Sequence, residues 1–273
     1  MIISDNNVDE KRRLDVEIVQ RGLIKSREKA KALISEGLVC VNGKTATKPS
    51  VEVSADDDII LTGDLGYVGR GGKKLEKALA VFGVDPKNRT AIDIGASTGG
   101  FTDCLLRNGA KNVYAVDVGS NQLDESLVND SRVVNMEKTD IRCLTPDSFV
   151  YGVPDISVID VSFISLTKIL PFLKTLLSEN SDIIALLKPQ FEAGKTKKGI
   201  VSSPDVHLEV ITTVIAFAES NGFCVRGVDF SPVKGGDGNI EFLLHLTFGN
   251  TIGKFTRKAI KELVRTAHNS LKK

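Results

Sequence analysis

The stretch Asp93-Ile-Gly-Ala-Ser-Thr-Gly-Gly-Phe-Thr-Asp103 constrains this chain most, because it joins the end of an apolar strand to a glycine turn and the opening of a helix. Glycines at 95 and 99 let the backbone approach a ligand, and the free N–H groups of a helix start face the same space. The spacing Asp-x-Gly-x-x-x-Gly differs from the Gly-x-Gly-x-x-Gly of dinucleotide folds and lacks the Gly-Lys-Ser/Thr of a P-loop, so neither pyrophosphate nor triphosphate is the natural guest. A second strand, expected over 112–117, ends in Asp117, about where a ribose diol needs an acceptor. These features suit S-adenosylmethionine. Glycines alone would also fit a plain strand-to-helix turn; Asp117 in register favours a cofactor loop.

Beyond residue 70 short apolar runs alternate with helical stretches: 91–94, 112–117, 133–136, 156–160, 183–188, 223–230 and 240–248. The first five read as buried parallel strands. Between the last two lies Ser231-Pro-Val-Lys-Gly-Gly-Asp-Gly-Asn239, too short for a crossover helix, so those two strands pair antiparallel. The expected fold is α/β, a Rossmann-like class I methyltransferase with a seven-stranded mixed sheet whose last strand is antiparallel. With that strand inserted beside the fifth, Asp160 at the end of strand four, Lys188 at the end of strand five and Glu241 at the start of strand seven meet at one sheet edge. Ligands bind at this edge in open α/β sheets. A helix opening near Arg70 carries Leu75, Ala78, Leu79 and Phe82 on one face, with Lys74 at its border, able to reach the same edge.

The net charge of +1 argues against a nucleic-acid partner only if charge is evenly spread, and it is not. Residues 11–48 hold ten Lys or Arg against four acids, and residues 254–273 hold seven against one. The N-terminal segment reads as helix from Arg12, turn, second helix capped by Ser26 and ended by Gly37, then a hairpin turning at Asn42-Gly43. Thr62-Gly-Asp-Leu-Gly-Tyr-Val-Gly69 is a glycine-rich connector. The expected domains are residues 10–62, a linker at 63–69, a catalytic domain at 70–250 and a basic C-terminal helix at 251–273. In that last helix Ala259, Leu263, Ala267 and Leu271 form the docking stripe. Cys40, Cys104, Cys143 and Cys224 are scattered, with no histidine at ligand spacing, so neither zinc nor a disulfide framework is indicated. With no targeting segment and no run of ~18 apolar residues, a cytoplasmic protein without a membrane or metal is expected. His207, His245 and His268 fit no catalytic spacing, and His245 reads as a core histidine.

Arg12-Arg-Leu-Asp, Ser26-Arg-Glu-Lys-Ala, Leu33-Ile-Ser-Glu-Gly, Val39-Cys-Val-Asn-Gly and Lys48-Pro-Ser closely resemble the S4-type RNA-binding domain, a small α+β fold. The resemblance implies structured RNA as partner and suggests Arg12, Arg13, Arg21, Lys25, Arg27, Lys29, Lys31 and Arg70 as RNA-binding residues. Gly69-Arg-Gly-Gly-Lys-Lys-Leu, the Asp93–Asp103 turn, Val158-Ile-Asp-Val-Ser-Phe-Ile-Ser-Leu, Leu187-Lys-Pro-Gln-Phe-Glu and Gly238-Asn-Ile-Glu-Phe closely resemble the TlyA family, nearly end to end. That family, also filed under hemolysin A, is understood as FtsJ-related ribosomal RNA 2′-O-methyltransferases with a Lys-Asp-Lys-Glu tetrad. By motif position the tetrad is Lys74, Asp160, Lys188 and Glu241. The resemblance implies S-adenosylmethionine held by Asp93, Gly95, Ala96, Ser97, Thr98, Gly99, Gly100, Phe101, Asp117, Asp140 and Asp160, and a cytidine ribose in ribosomal RNA or a ribosomal subunit as substrate. The chain departs from the pattern at Gly69, where serine is expected, and in a shorter segment after Phe191.

Methyl transfer to a ribose hydroxyl needs a base and in-line geometry. A lysine at its ordinary pKa of ~10.4 is charged at pH 7 and accepts no proton; burial and a neighbouring cation favour the neutral amine, while carboxylates oppose it. Lys188 is the expected base, with Lys74 and Asp160 holding it and Glu241 orienting. Taken singly, each is as easily an ordinary ion-pair residue. Lys195, Lys197 and Lys198 either touch phosphate or solvate a loop. The alternatives are a non-catalytic RNA-binding or ribosome-assembly protein that keeps the fold, and a hemolysin, for which the chain lacks a spanning helix or a run of barrel strands. Arg13-Leu-Asp15 also echoes a pseudouridine synthase motif, read here as a chance match.

Overall fold

Leu14, Ile18, Ala30, Leu33 and Ile34 recur at helical spacing in the basic N-terminal segment, and in the computed structural model they close a small core with Val39, Ala46, Val53 and Ile59. The structure describes residues 11–63, 66–194, 199–249 and 255–272. The chain divides into two units, Met1–Arg70 and Gly71–Lys273.

The first unit runs β1 (Arg12–Arg13), α1 (Leu14–Gln20), α2 (Arg27–Ser35), β2 (Val39–Val41), β3 (Lys44–Ala46), β4 (Glu52–Val53) and β5 (Ile59–Leu61). Arg12 and Arg13 are not helical as expected; they pair antiparallel with β4, and the helix starts at Leu14. Ser26 caps α2 by accepting from the Lys29 N–H at 3.3 Å. Asn42 and Gly43 both take positive φ, +49° and +75°, as a two-residue type I′ hairpin requires. The strands β3, β2 and β5 form one antiparallel sheet.

The second unit runs α3 (Gly71–Phe82), β6 (Thr90–Ile94), α4 (Gly100–Arg107), β7 (Asn112–Val116), α5 (Glu125–Val128), β8 (Val133–Met136), β9 (Ile156–Ile159), α6 (Leu170–Leu176), β10 (Asp182–Leu187), α7 (Pro189–Glu192), α8 (Pro204–Ser220), β11 (Phe223–Phe230), β12 (Phe242–Phe248) and α9 (Arg257–Ser270). The sheet order is β11-β12-β10-β9-β6-β7-β8, with β12 antiparallel to both neighbours. This is the mixed seven-stranded sheet expected, its last strand inserted beside the fifth.

Two side-chain assignments change. On α9 the buried residues are Ile260, Val264 and Ala267, whereas Ala259 is exposed. Burying an isoleucine or valine stabilises by about 1.5–3 kcal/mol, more than an alanine can, so the helix turns that face to the core. The two histidines without an assigned role meet: Nδ1 of fully buried His207 on α8 lies 2.9 Å from Nε2 of His268 on α9. Burial, then the neighbouring His268, pushes His207 down to about 4, so it fastens α9 as a neutral ring. His245 is a core histidine, with Nε2 2.8 Å from Asp182 and its ring stacked on Phe82 at 5.5 Å. Among the described residues no helix is long and apolar enough to cross a membrane.

Candidate active site

The turn after β6 is built for its neighbours. Gly95 has φ +86°, and a Cβ there would stand 2.5 Å from the carbonyl oxygen of Asp160. Gly99, φ +92°, caps α4, and its Cβ would collide with Leu127 and Leu123. Both glycines are therefore required by packing within the protein, and Gly95 also borders the cavity described below. Phe101 is likewise a packing residue: it is 3% exposed, and its ring lies 3.2 Å from where a Cβ on Gly71 would be. Ala96 and Gly100 are buried and Thr98 half-buried; the Thr98 carbonyl accepts from Asp124 N–H at 3.2 Å.

Asp117 binds the two turns together. Its Oδ2 accepts from Ser97 N–H at 2.8 Å and its Oδ1 from Gly119 N–H at 2.7 Å. Each carboxylate oxygen has a second lone pair for a ligand. Asp93, one strand over, has no exposure. Its Oδ2 accepts from Thr102 Oγ1 at 2.7 Å, while Oδ1 is buried without a hydrogen-bond partner among the described residues. Burial pushes this carboxyl up to about 7; Thr102 opposes the shift, and the charges of Asp160 and Asp117 add to it.

Above this turn opens a cavity of about 480 Å³, within the range of small-molecule sites. Gly95, Ser97, Asp117, Asp140 and Asp160, all expected to hold the cofactor, line it. So do residues that sequence reasoning missed, Thr139, Arg142, Ser162 and Phe163 among them. Arg142 is bound to Asp140, its Nη2 2.6 Å from Oδ2, and this partner keeps the Asp140 carboxyl below its usual value. The walls thus carry three carboxylates against one arginine already paired. Such a cavity repels phosphate and suits a cation that carries hydroxyls. Phe163 stands at its edge with φ +64° and is 90% exposed, its ring 5.0 Å from Phe191.

Four charged residues gather at the ends of the central strands, as two pairs. In register, Leu187 lies opposite Phe242, so Lys188 and Glu241 are the next residues on the two strands. Pro189 has no N–H for the ladder and holds Lys188 extended, at φ −106° and ψ 104°, which ends β10 there. Nζ of Lys188 stands 2.7 Å from Oδ1 of Asp160, an ion pair outside hydrogen-bond geometry, and donates to Ser162 Oγ at 2.9 Å. Nζ of Lys74 donates to Oε2 of Glu241 at 2.6 Å, with the side chains 10% and 3% exposed. Lys74 is therefore a direct partner of Glu241. On the far side of Glu241, a Cβ on Gly235 would come 2.5 Å from Oε1, so the loop before β12 closes over the carboxylate only with glycine there. Asn239, fully buried, accepts from Val201 N–H at 2.8 Å and donates to the Gly199 carbonyl at 2.9 Å, a clamp no sequence pattern signalled.

In the first unit the basic residues divide. Asp15 has no exposure and accepts from Arg13 Nε at 2.9 Å and Arg27 Nε at 2.8 Å. Burial pushes its carboxyl up, but the two arginines outweigh this and hold it below its usual value. Both arginines stay about half exposed, 47% and 51%, so one buried acid presents two guanidiniums to solvent. The guanidinium of Arg21 donates to Glu17 at 2.8 Å and to the carbonyls of Ser54, Ala55 and Asp57 at 2.7–3.0 Å, tying α1 to the turn before β5. Arg12 donates to Gln20, Lys31 to Glu28, Lys25 is exposed, and Lys29 and Arg70 are half-buried. Lys195, Lys197 and Lys198 lie outside the described residues.

A parallel sheet with an inserted antiparallel last strand, a glycine turn and an acidic cavity at the strand ends defines a Rossmann-like methyltransferase. Residues 67–248 match the FtsJ-like methyltransferase family and residues 12–59 match the S4 domain. The chain belongs to the FtsJ-like methyltransferases, an enzyme family, and carries an S4 domain before them. It is 51% identical to YqxC of Bacillus subtilis over 269 residues, 96% of each chain. To the Mycobacterium tuberculosis protein named 16S/23S rRNA (cytidine-2'-O)-methyltransferase TlyA it is 42% identical over 239 residues, 86% of this chain and 89% of that one. A solved Streptococcus thermophilus structure that carries a hemolysin name is 48% identical, with a TM-score of 0.78 over 97% of this chain and 98% of the other.

Asp93 gives a testable pH dependence. Its folded value of about 7 lies above the 3.8 of a free carboxyl, so its protonated form favours folding below pH ~3.8, and that contribution is lost as pH rises through 7. The shift corresponds to a penalty on the order of 4 kcal/mol at alkaline pH. In Asp93→Asn, thermal melts should lose stability less steeply between pH 5 and pH 8 than wild type does.

Proposed function

We propose that the protein transfers a methyl group from S-adenosylmethionine to the 2′-hydroxyl of a cytidine in ribosomal RNA, and that its S4 unit holds the RNA. The observation that carries this reading is the meeting of the Lys188–Asp160 and Lys74–Glu241 pairs at one sheet edge, where Asp160 also lines the acidic cavity. The naming of a relative 42% identical for cytidine 2'-O-methylation of 16S and 23S rRNA supports the choice of substrate. Such a substrate makes the protein a cytoplasmic partner of the ribosome.

The residues present fit the cofactor. Asp117, Asp140 and Asp160 make the cavity anionic, as a sulfonium with a ribose and an amino group requires. When bound, the cofactor supplies an electrophilic methyl group. The protein then positions the ribose hydroxyl and takes its proton. Lys188 would take the proton of the ribose hydroxyl as the general base of the transfer. Asp160 stabilises the ammonium so formed. The Lys74–Glu241 pair is fixed by burial and orients the hydroxyl, and holding two reactants in line contributes much of the rate. Phe163 offers an exposed ring against which an unstacked base can lie.

In the S4 unit Arg13 and Arg27, aligned on Asp15, are the leading phosphate contacts, joined by Arg12, Lys25, Lys29 and Lys31. The domain reading that goes with this function is RNA binding at 10–62, a linker at 63–69 and methyl transfer at 70–250.

Radiolabelled methyl should pass from S-adenosylmethionine to purified ribosomal subunits and resist alkaline cleavage at one ribose. Lys188→Met should lower kcat by about 10²–10⁴-fold, the range for losing a general base. No label on either subunit, with cofactor bound, would refute the proposal. For the RNA surface, Arg13→Ala and Arg27→Ala should each weaken binding of ribosomal RNA and flatten the slope of log K against log salt by about 0.7–0.9, as loss of one phosphate contact does.

A further inference from the structure

Lys188 raises a question its carboxylate partner does not answer. A base must point its lone pair at the proton it takes, and rotation about the Cε–Nζ bond decides where that lone pair lies. Asp160 attracts the amine at 2.7 Å, but outside hydrogen-bond geometry, so by itself it draws a hydrogen without fixing the rotation about Cε–Nζ. Among the described residues the hydrogen bond that Nζ makes is to Ser162 Oγ, at 2.9 Å.

We propose that Ser162 is the positioning residue of the reaction: its hydroxyl accepts one N–H of Lys188 and thereby aims the amine's lone pair at the ribose hydroxyl. The inference rests on the function proposed above. A neutral amine has two hydrogens and one lone pair around Nζ. With one hydrogen fixed on Ser162 and the other drawn to the Asp160 carboxylate, the lone pair takes the direction left over. Ser162 is also where Lys188 meets the cavity, since Ser162, like Asp160, lines its wall.

The local structure holds the serine in place. It sits in the turn after β9, where the next residue, Phe163, takes a left-handed φ of +64°, sparsely populated for an aromatic residue and kept only when its surroundings enforce it. Two contacts do so, both to the segment that follows Lys188. The Phe163 ring packs on Phe191 at 5.0 Å. Glu192 accepts from Ser165 Oγ at 2.5 Å and from Leu166 N–H at 2.7 Å. The turn carrying Ser162 and the strand end carrying Lys188 are thus pinned to each other on the same short helix, α7.

When the ribose proton arrives on Nζ, the ammonium has three hydrogens. One stays on Ser162, one faces Asp160, and the third remains toward the methylated oxygen, so no side chain has to move. Without the serine hydroxyl the amine keeps its charge partner but loses its bearing. The loss then falls on the chemical step rather than on binding.

The test is steady-state methyl transfer to ribosomal subunits by wild type, Ser162→Ala, Ser162→Thr and Lys188→Met, with cofactor affinity measured separately by calorimetry. Ser162→Ala should lower kcat roughly three- to tenfold, the effect of one neutral hydrogen bond. Its KM for RNA should be unchanged, and Ser162→Thr, which restores the hydroxyl, should recover kcat. Wild-type kcat in Ser162→Ala, a loss confined to KM or cofactor affinity, or a threonine variant as slow as alanine would each overturn the inference while leaving the methyltransferase reading intact. Absence of transfer by wild type removes both.

Discussion

The register of two strands underlies everything at the site. β12 enters the sheet antiparallel beside β10, with Leu187 opposite Phe242, so the last residue before one strand and the first after the other face across a single spacing. Were β12 displaced by one residue, its side chains would change face and Glu241 would leave the edge. The buried Lys74–Glu241 pair holds this register from the outside. Removing one partner of such a pair costs about 3–5 kcal/mol because the other charge stays buried, so the pair ties α3 to the sheet as well as furnishing charge. On its other side Gly235 closes on the same carboxylate.

Electrostatics divides the strand-end region into two zones. The cavity walls are acidic, with Asp117, Asp140 and Asp160 facing inward and Arg142 consumed by Asp140. The edge beside it holds the lysines, each matched to a carboxylate. The proposed reaction brings together a cationic methyl donor and an anionic RNA backbone, which are opposite electrostatic demands, and two such zones a few side chains apart are suited to both. Asp160 stands on the border, lining the cavity and pairing with Lys188. Asp93 lies buried at β6, its carboxyl raised by burial to about 7.

Much of this was legible in the residues because the signals are local. Strand positions followed from apolar runs, the Asn42-Gly43 hairpin from its demand for positive φ, and the antiparallel last strand from a connection too short for a helix. Reasons for individual residues were less legible. Gly95 and Gly99 look like ligand glycines in sequence, yet their missing Cβ atoms make room for the Asp160 backbone and for Leu127. Arg21 looks like its basic neighbours, but its donors go to a turn more than thirty residues further along the chain. In the C-terminal stripe Ala267 and Leu271 face the core as expected, while Ile260 and Val264 take the places of Ala259 and Leu263, which satisfied the spacing equally well.

The sequence by itself determined the order of strands and helices, the chemistry placed at their ends and the basic character of the N-terminal unit, since each depends on neighbours along the chain. Only the tertiary structure decided which lysine pairs with which carboxylate, which arginines remain for solvent, and that the Lys188 amine donates to Ser162 while it pairs with Asp160. Those are matters of ångströms and angles between residues far apart in sequence, and a hydrogen bond or an ion pair is fixed by where the backbone brings its two ends.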